Sequence, residues 1–143
     1  MLSSIRTNIE MESMTKPLRG YFPILPTPYT EAGEVDLASV ERLVDYLIEN
    51  GTHGMSPNGG DSEAPFLSID ERNAIIDVVV ETNGGRIQVL VGTSSHTVEE
   101  TLQLNRHAQN AGADAVFVHP GWGRSGLSTE EIVDFYDTIC RDI

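Results

Sequence analysis

The residues able to do chemistry gather in four short loops. The most informative loop reads Asn58-Gly59-Gly60-Asp61-Ser62-Glu63-Ala64-Pro65. Adjacent glycines let the backbone approach a ligand closely, so that backbone amides can hold a carboxylate or phosphate. The same pair also suits a tight turn with no ligand at all. The loop Gly92-Thr93-Ser94-Ser95-His96 sets hydroxyls beside a glycine, a composition that equally fits the start of a helix. The loop His119-Pro120-Gly121-Trp122-Gly123-Arg124 carries an indole that could wall a pocket or pack as a lid on the following helix. The remaining loop is Pro26-Thr27-Pro28-Tyr29, followed by Glu31-Ala32-Gly33-Glu34. His96, His119, Asp61 and Glu63 have the chemistry to hold a divalent cation. No His-x-His or His-x-x-x-His spacing organises them, so no metal site is assigned. His53, at the entrance to a strand, reads as structural.

These loops must be positioned by the elements between them, and those elements alternate. Strands are predicted at Tyr21 to Thr27, His53 to Pro57, Ile87 to Val91 and Ala115 to Val118. The third is continuous and rich in β-branched residues, as expected when both faces are buried. A helix is predicted from about Asp36 to Asn50, with Leu37, Val40, Val44, Leu47 and Ile48 on the 3.6-residue period and Asn50-Gly51 as its stop. Further helices open at Ser68, Thr97 and Ser128. Each starts with a capping box, Ser68 with Glu71, Thr97 with Glu100 and Ser128 with Glu131. Ile75, Ile76 and Val79 form the second helix's buried stripe. Ile132, Phe135, Tyr136 and Ile139 form the fourth's. The beat is roughly thirty residues, one strand–helix unit. The class is therefore α/β with a parallel sheet, either doubly wound or part of a barrel. In both cases the functional surface lies beyond the carboxyl ends of the strands.

Composition narrows the function. A formal net charge of -13 argues against nucleic acid and against an anionic membrane surface. Hydrophobic residues make up 39% of the chain, without a run long enough to span a bilayer. Cys140 is the single cysteine, which excludes an intrachain disulfide and fits a cytoplasmic setting. Residues 1–19 lack periodicity and a signal-like apolar core, and are expected to be a mobile tail. Residues 20–143 would form the folded domain.

Taken in order, several segments resemble the dihydrodipicolinate synthase and N-acetylneuraminate lyase family. They are Gly20 to Tyr29, Asn50-Gly51, Gly59 to Glu63, Leu67 to Arg72, Val89 to Thr93 and Ala111 to Ala115. The resemblance runs from about Leu18 to the C-terminus. It implies a (β/α)8, TIM-type barrel of which these four strand–helix units are the N-terminal half. It also implies a homo-oligomer, usually a tetramer, and a class I lyase or aldolase acting on pyruvate or a related 2-oxo acid, with no separate cofactor. In that family a lysine on the sixth strand forms a Schiff base and a tyrosine on the fifth relays protons. A Gly-Thr-Thr-Gly-Glu loop holds the substrate carboxylate. By that resemblance Gly59, Gly60, Asp61, Ser62 and Trp122 become the candidate substrate-binding residues.

The sequence departs from the family pattern. The two threonines map to Gly60 and Asp61, and the second glycine to Ser62. An ionised Asp61 at ~4 Å would oppose a substrate carboxylate by about 1–4 kcal/mol. That points to a substrate other than simple pyruvate, such as a sugar-derived 2-oxo acid. The aromatic pair of the fourth loop maps to Gly121-Trp122, without a tyrosine hydroxyl. The one lysine, Lys16, precedes the first strand. A Schiff-base lysine needs a desolvated pocket to lower its pKa, so the chain alone is expected to form no imine and to lack activity. Two alternatives stand beside this reading. One is a non-catalytic half-barrel that binds or assembles; the other is a metal-dependent lyase using His96 and His119.

Overall fold

The structure, a computed structural model, describes residues 17–120 and 126–142. Three parallel strands, β1 (Gly54–Met55), β2 (Gln88–Gly92) and β3 (Ala115–Phe117), form one sheet in the order β1-β2-β3. Met55 pairs with Val89, and Val91 with Val116, which sets the register. The helices are α1 (Leu37–Glu49), α2 (Ile69–Asn83), α3 (Val98–Ala111) and α4 (Thr129–Cys140). Helix and strand alternate in the chain, as the periodicity predicts.

The strand predicted at Tyr21 to Thr27 is reduced to one parallel bridge, Ile24 with Ser56. Leu25 N–H donates to the Ser56 carbonyl at 3.0 Å, and Ser56 N–H donates to the Pro23 carbonyl at 2.9 Å. Pro23 has no N–H for the next rung, so the ladder stops there. Of the four expected strands, three form and the first is present only as this bridge.

Val89 and Val91 are buried under the helices together with Leu25, Val44, Met55, Ile76, Val79 and Leu104. Gln88 and Leu90, on the other face of β2, are only half-buried. The expected burial of both faces is therefore not seen, because the helices cover one face and the other stays open. On that open face Ile24 is 40% exposed. Helix α4 buries Ile139 alone from its predicted stripe, while the Tyr136 hydroxyl reaches back to the Val118 carbonyl at 3.0 Å.

Helix starts follow their caps. Asp36 accepts from Ser39 N–H at 3.0 Å. Both halves of the box form at Ser68 with Glu71 and at Ser128 with Glu131. At α3 only half forms. Thr97 Oγ1 accepts from Glu100 N–H at 3.2 Å, but the Glu100 carboxylate accepts from the Ser95 hydroxyl at 2.6 Å instead of returning to the cap.

The hydroxyl and amide of Ser68 hold the Glu71 carboxyl below its usual range. A depressed carboxylate pKa contributes stability above the unfolded value of about 4.3, and that contribution is lost as the pH falls through the lower folded value. Wild type and Glu71→Gln, compared by urea unfolding, should differ at about pH 6 and converge towards about pH 3.

Candidate functional site

The parallel sheet brings the loops after β1, β2 and β3 to one end, where the strand ladders stop and carbonyl oxygens are left without strand partners. Arg72, on α2, supplies donors to them. Its guanidinium donates to the Gly92 carbonyl at 3.0 Å and to the Ser94 carbonyl at 2.9 Å. Arg72 is 1% exposed. Burial pushes its pKa down to about 10, partly opposed by the Glu100 carboxylate, so it remains charged at neutral pH. The main-chain carbonyl of Arg72 accepts from Asn58 Nδ2 at 3.0 Å. Asn58 is itself buried and left-handed, with φ 57. Ser94 Oγ accepts from His119 N–H at 2.7 Å. One chain of bonds thus joins the roots of three loops.

A second tie joins the first loop to the loop after β1. The Ser62 hydroxyl donates to the Leu25 carbonyl and accepts from Gly59 N–H at 3.1 Å. Thr27 Oγ1 donates to the Ser62 carbonyl at 2.6 Å. The predicted binding residue Ser62 is therefore buried, and its hydroxyl is engaged inside the loop. Gly60 and Asp61 stand exposed on the 3-10 turn Gly60–Ser62. The leading N–H groups of such a turn have no carbonyl partner within it. Trp122 lies outside the described residues.

The two glycines differ. A Cβ on Gly59 would come within 3.0 Å of Ile24 Cγ2 and 3.5 Å of the Phe117 ring, whereas a Cβ on Gly60 would meet nothing within 4 Å. Gly59 has φ -73, so close packing and not turn conformation calls for its bareness. At Gly92 a Cβ would sit 2.3 Å from the Asn58 carbonyl oxygen. The backbones of the first two strand ends meet there.

Sequence reasoning gave no role to Arg72, Asn58 or Tyr29. A signal for Arg72 was present, because it lies three residues before Ile75, in phase with the buried stripe of α2. The Tyr29 phenol lies against Glu63; partial burial, with the Glu63 and Glu71 carboxylates, raises its pKa. Glu63 is left-handed at φ 58 and exposed, as is Asp61, so the rim is acidic. Asn58 Oδ1 and Thr93 Oγ1 are buried at the same end without a hydrogen-bond partner among the described residues.

His96 is exposed, and no group of three or more His, Cys, Asp or Glu among the described residues is arranged to hold a metal. His53 is at the opposite end, as expected, and its Nδ1 accepts from Tyr21 N–H at 3.2 Å. A cavity of about 460 Å³ also lies there, lined by Arg19, His53, Arg86 and Asp114 among others. Size alone does not locate the site, since parallel α/β sheets place it at the carboxyl ends. A smaller cavity of about 120 Å³ adjoins Arg72, Ser95, His96 and Glu100. No helix among the described residues is long and apolar enough to cross a membrane.

The family model of the dihydrodipicolinate synthetase family matches residues 17–142. A 4-hydroxy-tetrahydrodipicolinate synthase of Rhizobium meliloti is 40% identical over 100 residues, covering 70% of this chain and 34% of that protein. The N-acetylneuraminate lyase of Mycoplasma synoviae superposes with TM-score 0.82 at 27% identity, over 87% of this chain and 43% of the other. A prophage protein of E. coli K12 in the dihydrodipicolinic acid synthase family, solved in complex with pyruvate, superposes with TM-score 0.79 at 29% identity, over 85% and 41%. This chain thus spans about a third to two-fifths of the length of these relatives. The similar solved structures are TIM-barrel lyases.

The difference between the glycines is measurable. Gly60→Ala should be neutral or stabilising by up to about 1 kcal/mol, through the unfolded chain. Gly92→Ala should destabilise by about 1–3 kcal/mol, because a backbone oxygen stands in the way. Urea unfolding of both variants checks the contrast.

Proposed function

The chain belongs to the dihydrodipicolinate synthetase family, and from that premise we propose that it forms the N-terminal half of a (β/α)8 lyase that acts through a Schiff base on a 2-oxo acid. The observation that carries this reading is the meeting of the Gly59 to Glu63 turn with the loops after β2 and β3 at one end of a parallel sheet. In this reading Gly60 and Asp61 present backbone amides to the substrate carboxylate. Ser62 holds the turn against Leu25 instead of touching substrate, and Trp122 stays a candidate substrate-binding residue on the family resemblance alone. Asn58 Oδ1 and Thr93 Oγ1, buried at this end without a hydrogen-bond partner among the described residues, support it as polar groups at the site end. Positive charge on Arg72, enclosed behind the loops, favours an anionic ligand. The exposed Asp61 and Glu63 oppose one, and this acidic rim favours a larger, hydroxylated 2-oxo acid over pyruvate itself.

The nucleophile comes from outside this segment, because residues 17–143 contain no lysine. An imine requires a neutral amine in a desolvated pocket, and this sheet offers none. The reading also carries a homo-oligomeric, cytoplasmic enzyme with no cofactor. In the experiment, pyruvate or a hydroxylated 2-oxo acid, with borohydride, is applied to the 143-residue chain alone, and to the chain co-expressed with strands five to eight of a family member. The expected result is no covalent adduct on the chain alone and an adduct on the lysine of the added half in the pair. An adduct on the chain alone, or none in a folded pair, would sink the proposal.

A further inference from the structure

We infer that Arg72 is the positioning residue of the site end, setting the spacing of the loops after β1, β2 and β3 through its guanidinium and its own carbonyl. The planar fork suits the task. Its two terminal nitrogens meet the carbonyls of Gly92 and Ser94, which lie two residues apart along the chain. A lysine ammonium is a point charge and cannot span both in one fixed plane. The arrangement is self-enforcing, because a buried cation tolerates its site only while those carbonyls stay aimed at it. From this centre the links run outward. Asn58 Nδ2 binds the Arg72 carbonyl, and Ser94 Oγ binds the His119 amide. Gly92 N–H, close beside the guanidinium's partner, donates to the Pro57 carbonyl at 2.9 Å. Thr93 N–H donates to the Phe117 carbonyl at 3.2 Å. A change at Arg72 therefore reaches all three loops without touching a ligand.

The inference rests on the reading that these loops carry the site, but its test measures loop positioning directly and needs no activity. Amide hydrogen exchange is followed in the full chain, in Arg72→Lys and in Arg72→Met. Relative to Val79 and Leu104 in the helices, the amides of Gly92, Thr93 and His119 should exchange at least tenfold faster in Arg72→Met. Arg72→Lys should fall between it and wild type. Uniform acceleration over loops and helices is what a merely stabilising buried residue would give, and it would overturn the inference, as would unchanged loop amides. Should Arg72→Met fail to fold, Ser94→Ala reads the outermost link. His119 should then exchange at least tenfold faster while Gly92 keeps its wild-type rate, and an unchanged His119 would equally overturn the inference.

Discussion

A guanidinium removed from water must find an oxygen for its donors, and that requirement organises this protein. Arg72 keeps its charge at neutral pH despite burial, with its pKa lowered to about 10. The oxygens it finds are those of Gly92 and Ser94, at the point where the β2 ladder ends. Parallel strands leave such carbonyls at one end of every sheet. Ordinarily water or a helix N-terminus meets them. Here a side chain from the neighbouring helix does, and the packing of α2 becomes inseparable from the geometry of the loops.

The second organising tie is Ser62. Its hydroxyl joins the loop after β1 to Leu25. The two ties act on different loop pairs, Ser62 on the first and second, Arg72 on the second, third and fourth. Together they hold the backbone of the rim while leaving the side chains of Asp61 and Glu63 in solvent. The charge of the rim therefore lies over a backbone scaffold of hydrogen bonds. For a ligand bearing a carboxylate the two layers pull in opposite directions, with amide dipoles and a buried cation beneath, and carboxylates above.

The sheet is dressed on one side only. Val89 and Val91 pack under helices, while Ile24 and Leu90 on the opposite face are 40% exposed and half-buried respectively. In the TIM-barrel relatives this chain spans less than half of the molecule. Inside a closed barrel the equivalent face is filled by side chains in layers. Gly59 and Gly92 already make room on that face for Ile24 and Phe117.

What was legible in the sequence was local. Apolar spacing marked α1, α2 and α4, because a helix's buried stripe recurs at a fixed period whatever it packs against. The boxes at Ser68 and Ser128 were legible for the same reason, since a cap and its partner lie three residues apart. The box at Thr97 failed at Glu100, whose carboxylate accepts from Ser95, five residues away, instead of returning to the cap. The first strand failed as a strand because Pro23 withholds a donor from a partner that only the sheet supplies. Even the rim was legible as four loops on one end, though not as a network. The partners in that network are 14, 20, 22 and 25 residues apart. Nothing in their spacing announces that Arg72, a charge in phase with an apolar stripe, would be enclosed between two strand ends. Tertiary structure decided that, because the energy of a buried charge depends on which oxygens surround it, and those are set by how the strands and helices close on one another.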